Sequence, residues 1–372
     1  MTGTSIDGDL DAAIVEIRGR GPAMRARFVA GLSHPLGALA EDLRRIARQE
    51  PLPAREFARV ARAFGEAHAE ALARLAADAG VRPDLAVLHG QTVFHAPPLG
   101  WQLLDPWPVA VRLGCRVRYD LRGANLASGG EGAPITPLAD FTLFAGAAGT
   151  VVMNLGGFIN ATLLPAAASG AGAIRGFDVC ACNHLLDAVA RARLGAPFDA
   201  DGDRASRGTV DAETRTRISQ AIAPSEARDE TALRPARRSL GTGDEAARLV
   251  GLTDHLSAED ACRTVADAIA DAAMRVLASE GSDPSARILL AGGSARNRAL
   301  RAAFAQRSAA PVETTEESHG LPVHMREPVG IAILGALADD GAGYCLPAVT
   351  GRASRALDSA LLAPATAPHS AL

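Results

Sequence analysis

Lysine is missing from this chain: every one of its 38 Lys and Arg positions is arginine. That excludes the lysine-dependent phosphate loop G-x-x-x-x-G-K-[ST], the V-A-I-K lysine of protein kinases, and Schiff-base or pyridoxal phosphate chemistry run from the chain's own lysine. A GC-rich codon bias toward Arg, Ala and Gly explains the choice. Long apolar runs are missing too. No stretch of about 18 apolar residues occurs, and no basic segment leading into an apolar one opens the sequence, which therefore reads as soluble and cytoplasmic. Cysteines number five, at 115, 180, 182, 262 and 345. An odd, scattered set is no secreted disulfide framework, and Cys180 with Cys182 alone cannot supply a four-ligand zinc site. No basic excess exists either: a net charge of -4 offers nothing to a nucleic-acid backbone.

What is present suits an ordinary globular protein, with 48% hydrophobic and 22% charged residues. At roughly 150 residues per domain, 372 residues make two. Residues 9–17 end in a β-branched apolar run that predicts a strand. Phe57, Val60, Ala61, Phe64, His68, Ala71, Leu72 and Leu75 recur at helical spacing and predict an amphipathic helix over 54–79, stopped by Gly80. A short buried strand then delivers His89 to its end. A second cycle starts at Thr150, with a strand into Gly156-Gly157, another over 159–164 and a helix over 183–194. Residues 199–248 are charged and irregular, which predicts a surface excursion. Ser257 caps a helix to Glu280, with Asp260 as a shortened capping box. A strand over 287–291 enters Gly292-Gly293, and a helix follows over 297–306. Strands alternating with helices define an α/β protein with mixed or parallel sheet. Trp101 and Trp107 read as core or wall residues.

Three glycine turns stand out: Thr2-Gly-Thr-Ser5, Asn154-Leu-Gly-Gly157 and Ala291-Gly-Gly-Ser294. Glycine lets backbone approach a ligand, and successive N–H groups in such turns form anion-binding concavities, so phosphates can be held without lysine. A Gly-Gly after a strand is, taken singly, more often a plain tight turn. A serine hydrolase has little support, because the segment Gly3 to Asp7 lacks the second glycine of a G-x-S-x-G elbow.

Taken in order, Met1-Thr-Gly-Thr-Ser-Ile-Asp-Gly8, His89-Gly-Gln-Thr92, Gly129-Gly-Glu-Gly-Ala-Pro134, Asn154-Leu-Gly-Gly157 with Asn160-Ala-Thr162, Gly176-Phe-Asp178 with Asn183, and Gly292-Gly-Ser-Ala-Arg-Asn297 resemble the anhydro-N-acetylmuramic acid kinase family of the sugar kinase, actin and Hsp70 superfamily. The resemblance spans nearly the whole chain. It implies two ribonuclease H-like, actin-like ATPase domains around a central cleft, with ATP and Mg²⁺ as cofactors, an amino sugar as partner, and a homodimer. The domains fall at 1–134 and 135–352, with 353–372 as a flexible tail. The implied reaction opens the 1,6-anhydro bridge of the sugar with water while O6 takes the γ-phosphoryl group of ATP, giving N-acetylmuramic acid 6-phosphate in cell-wall recycling.

Residue by residue, the resemblance makes Asp178 the catalytic base. A carboxylate suits that role if it reaches the attacking water, and the competing role is a cap for the helix near Asn183. Thr2, Gly3, Thr4, Ser5, Ile6, Asp7, Gly8 and Asp9 match the first phosphate hairpin, Asn154, Gly156 and Gly157 the second, and Gly292, Gly293 and Asn297 the late nucleotide turn. His89, Gln91, Thr92 and Glu327 match sugar contacts, whereas His95 reads as a structural hydrogen bonder. No metal ligand is assigned to the protein. Three features depart from the family pattern. The family has a strand before the first hairpin, whereas the sequence starts at Met1. Asp178-Val-Cys-Ala-Cys182 stands where the family has Asp-Thr-Gly-Pro, and Asn125 and Glu131 replace an Asp and a Gln, changes expected to touch the cleft. Two alternatives stay open: a catalytically weakened nucleotide- and sugar-binding relative, and a kinase of another amino sugar.

Overall fold

The computed structural model describes Met1, Ile6 and residues 8–223, 243–351 and 359–363. Two compact units emerge, Met1–Leu143 with Glu327–Leu372, and Phe144–Arg326. Strands of the first unit are β1 (Asp9–Arg18), β2 (Arg25–Pro35), β3 (Leu85–Val87), β4 (Gln91–Ala96), β5 (Leu99–Leu103) and β6 (Arg116–Tyr119). The second contains β7 (Thr150–Leu155), β8 (Phe158–Leu164), β9 (Arg175–Ala181), β10 (Arg287–Ala291) and β11 (Val312–Thr314), and β12 (Ala360–Leu362) returns to the first.

In the first unit β1 and β2 form an antiparallel hairpin, β4 and β5 another, and β3 pairs in parallel with β6. Met1 continues the first hairpin by backbone alone: its amine donates to Asp11 O at 2.5 Å, and Asp11 N donates back to Met1 O at 2.8 Å. Burial lowers the pKa of that amine to about 6, against the opposing pull of the Asp11 and Glu327 carboxylates. The helix Ala54–Asp78 buries Val60, Phe64, His68, Ala71 and Leu75, the face its periodicity predicts. Neither tryptophan is a core residue. Trp101 is 45% and Trp107 58% exposed, and Trp101 stacks on Phe57 instead of entering the core.

Residues 327–351 return to this unit, whereas the sequence reading keeps 135–352 together. Close packing explains the return: a Cβ on Gly335 of the helix Arg326–Asp339 would lie 2.2 Å from the Val87 side chain, so only glycine fits over β3. Asp339 of the same helix accepts from Arg116 at 2.5 Å and Arg118 at 3.5 Å. In the expected tail, Ala360–Leu362 forms β12, antiparallel to β6, because that short apolar run covers an otherwise open sheet edge.

The second unit has one five-stranded sheet in the order β11-β10-β7-β8-β9. β7, β8 and β9 form an antiparallel meander, and β10 and β11 run parallel to β7, the mixed arrangement of a ribonuclease H-like sheet. One face packs against the helices Asn183–Leu194, Ala258–Ser279 and Arg298–Arg307 in a single core. The predicted start of the long helix holds in part: Ser257 Oγ accepts from Asp260 N at 3.1 Å, but the Asp260 carboxylate accepts from Thr209 N at 2.6 Å. The expected surface excursion is partly core. The helix Ala212–Ile222 buries Thr214, Ile218, Ser219 and Ile222, because its apolar positions recur at four-residue spacing.

Candidate active site

Alternation along the strands of the second unit sets which side chains leave the core. Val151, Met153 and Leu155 of β7 and Ile159 and Ala161 of β8 belong to the core cluster, so Asn154 and Asn160 project from the opposite face. On β9, Phe177 and Val179 pack on the core, which turns Asp178 to that same opposite face. Asn154 pairs in register with Asn160, and Asn160 with Asp178, so three polar residues form a row across three neighbouring strands. Asn160 Nδ2 donates to Asp178 Oδ1. The competing cap position is not held by Asp178. The helix Asn183–Leu194 has Cys182 at its N-cap, with no side-chain cap.

Two predicted glycine turns meet at one end of this row. Gly292 has φ +84°, and a Cβ there would lie 2.8 Å from Asn154 Oδ1 and from the Leu155 carbonyl carbon and oxygen, so the close approach of the two turns requires glycine. A Cβ on Gly157 would lie 2.6 Å from His184 Nε2, a contact the histidine ring could yield, whereas Gly156 has only ordinary contacts. Asn183 N donates to Gly156 O at 3.0 Å and Cys182 N to Gly157 O at 2.9 Å, which ties the helix start to the turn. Ser294, after Gly293, donates to Asn183 Oδ1. Asn297 Oδ1 caps the helix Arg298–Arg307 by accepting from Leu300 N at 3.0 Å.

The departure at 179–182 falls on the core side. Val179, Cys180 and Cys182 are all at most 6% exposed, and burial pushes the Cys182 thiol up to about 12 and Cys180 well above its usual value. These replacements alter packing and leave Asp178 on the opposite face.

In the first unit, Thr2, Gly3, Thr4, Ser5 and Asp7 lie outside the described residues. Ile6 is a buried core residue at φ +52°, its carbonyl held by Arg44 Nη2 at 2.8 Å, and Gly8, at φ +110°, leads into Asp9 at the start of β1. His89 lies two residues beyond β3 and is buried. Its Nε2 accepts from Arg122 Nε at 2.9 Å, which puts the hydrogen on Nδ1. Burial, and then the Arg122 cation, push its pKa well below the usual histidine value. Gln91 and Thr92 open β4, and Gln91 is 1% exposed. Glu327 lies in the first turn of its helix, near enough to the Met1 amine to favour its charged form.

Asn125 also differs from expectation. Buried at 1% exposure, it donates to Thr350 Oγ1 at 3.1 Å and accepts from Gly132 N at 2.7 Å, so it anchors the Gly129–Pro134 loop from within the unit. Arg122 Nη1 adds a bond to Gly132 O at 2.7 Å, joining this loop to His89. Sequence reasoning passed over Arg122 and Asn160. The signal for Asn160 is an amide at an outward position of an apolar strand.

A family model described as anhydro-N-acetylmuramic acid kinase matches residues 1–363. The chain belongs to that family. It is 32% identical over 367 residues to the anhydro-N-acetylmuramic acid kinase of Gloeobacter violaceus, covering 94% of each chain. With the Bordetella pertussis kinase the identity is 34% over 380 residues, 96% of this chain and 93% of that one. With the Acidiphilium cryptum kinase it is 34% over 324 residues, 85% and 84%. Among solved structures, component A of the Acidaminococcus fermentans (R)-2-hydroxyglutaryl-CoA dehydratase matches 89% of this chain and 99% of its own at 12% identity and TM-score 0.45, too loose a likeness to add to the assignment. As a member of the anhydro-N-acetylmuramic acid kinase family, the chain is an enzyme of the phosphotransferase class. No helix among the described residues is long and apolar enough to cross a membrane.

Proposed function

We propose that this chain opens the 1,6-anhydro bridge of anhydro-N-acetylmuramic acid with water and passes the γ-phosphoryl group of ATP to O6, yielding N-acetylmuramic acid 6-phosphate and ADP. The observation that supports this best is Asp178 on the outward face of the β7–β8–β9 sheet, in register with Asn160 and Asn154, where the two glycine turns meet. Ligands of mixed and parallel α/β sheets bind at such strand ends.

Asp178 takes a proton from water as the water oxygen bonds to the anomeric carbon. The electron pair of the bond between that carbon and O6 moves to O6, which attacks the γ-phosphorus, and the bond to ADP breaks. Phosphoryl transfer asks the protein chiefly for positioning and charge stabilisation. Backbone of the Asn154–Gly157 and Gly292–Gly293 turns would line the nucleotide phosphates, and the first hairpin, Thr2 to Asp9, would contribute the corresponding turn of the first unit. His89, Gln91, Thr92 and Glu327 would contact the sugar, with Arg122 fixing the His89 ring. Among the described residues no group of three or more His, Cys, Asp and Glu could hold a metal. Mg²⁺ would arrive on ATP, bound by phosphates and water, where it would neutralise phosphate charge.

The same reading carries a cytoplasmic homodimer, which sedimentation and cell fractionation check. Incubation with MgATP and the anhydro sugar, following ADP and sugar phosphate together, tests the reaction. One ADP per sugar 6-phosphate is expected. ATP binding without turnover by folded protein would instead select the catalytically weakened relative, and turnover only with other sugars in a panel of amino sugars the kinase of another sugar.

A further inference from the structure

Asn160 lies outside every set of site residues drawn from the sequence, yet the sheet is locally irregular so as to reach it. At the end of the β8–β9 ladder Phe158 pairs with Ala181 and Ile159 with Cys180. A regular antiparallel ladder would continue with Asn160 opposite Val179. Instead the register shifts by one, Asn160 pairs with Asp178, and Ala161 with Phe177. Val179 is the extra residue of a β-bulge, which lets Val179 and Cys180 both enter the core. Without the shift the amide would face a valine, and Asp178 would stand opposite Ala161. Bulges often re-aim a side chain beside an active site, and this one creates the contact between Asn160 Nδ2 and Asp178 Oδ1.

We propose that Asn160 is a positioning residue for the carboxylate of Asp178, a proposal that rests on the reading of Asp178 as the base. The amide donates to Oδ1 and so sets the rotation of the carboxylate about Cβ–Cγ. An amide suits this task because it cannot itself take the proton and compete as a base, whereas a carboxylate at position 160 would share it. The row continues to Asn154 beside Gly292, so the strand that carries Asn160 also spans from the base to the turn assigned to the nucleotide.

The test is a double-mutant cycle with the full chain. Asn160→Ala and Asn160→Leu both remove the donor, and the leucine keeps the volume, so a packing defect in one is checked by the other. Both should lower kcat for sugar phosphorylation about 100-fold, the scale of a misplaced reacting group, with KM for ATP within about twofold of wild type. In the Asp178→Asn background the same substitutions should change the residual rate less than about twofold, because the group they position is no longer a base. Equal losses in both backgrounds, or an unchanged kcat in a wild-type background that turns over, would overturn the positioning role while leaving the function intact. Absence of turnover by the folded wild-type chain would overturn the function itself, and this role with it.

Discussion

The two units solve one folding problem differently. In the second, β7 joins the β8–β9 hairpin to the parallel pair β10–β11, and its outward row ends beside glycine turns. In the first, the β1–β2 hairpin and the β3–β6 pair belong to separate sheets among the described residues, and the polar groups nearby are buried and held neutral. His68 is pushed down to about 3 and His89 well below its usual value, chiefly by burial. In the second unit's core, burial instead raises the Cys180 and Cys182 thiols, which are thus neutral in acid. Acid therefore acts on the units unequally.

That inequality gives the largest expected effect. Each histidine with a depressed folded pKa is protonated first in the unfolded chain, so its contribution to stability is full above about 6.5 and is lost as pH falls toward its folded value. The loss is about 1.4 kcal/mol per pH unit per group, and for His68 it extends to about pH 3. Both tryptophans lie in the first unit, so tryptophan fluorescence should report unfolding at a higher pH than far-ultraviolet circular dichroism, which reads both units. Coincident transitions would erase the contrast. Next in size, Asp178→Asn should slow turnover by about 10²- to 10⁴-fold while leaving ATP affinity nearly intact, as measured by steady-state kinetics and calorimetry. A comparable loss of ATP binding would place Asp178 with the nucleotide instead.

Smaller effects sharpen the picture of the second unit. Gly292→Ala meets both a positive φ and backbone at 2.8 Å, and should cost about 1–3 kcal/mol in denaturant unfolding together with weaker ATP binding. Asn297→Ala should cost about 1 kcal/mol, the loss of a helix cap, with ATP affinity within about twofold. A large drop in ATP affinity without a stability change would return Asn297 to the nucleotide.

Patterns local in sequence were legible. The helix 54–78, the β7–β8 turn and the cap Ser257 follow from periodicity and cap chemistry, whereas the role proposed for Asp178 rests on its place in an ordered motif set. What stayed hidden depends on distant parts of the chain. The β4–β5 hairpin turns at Pro97-Pro98 and exposes Phe94, Leu99 and Trp101, which blurs alternation. The return of residues 327–351 rests on Gly335 meeting Val87 across more than two hundred residues, which no local window contains. The bulge at Val179 is a matter of register, fixed only when two strands meet, so the partner of Asp178 could not be read from either strand alone.

The buried thiols at the end of β9 offer a clock for that strand. Cys180 and Cys182 flank Ala181 just beyond Asp178, and their raised pKa values leave almost no thiolate in the native state. A thiol-directed reagent can modify them only during excursions that lift β9 from the core. Labelling rates would therefore measure how often the platform beneath the base comes apart, and whether bound nucleotide or sugar slows that opening.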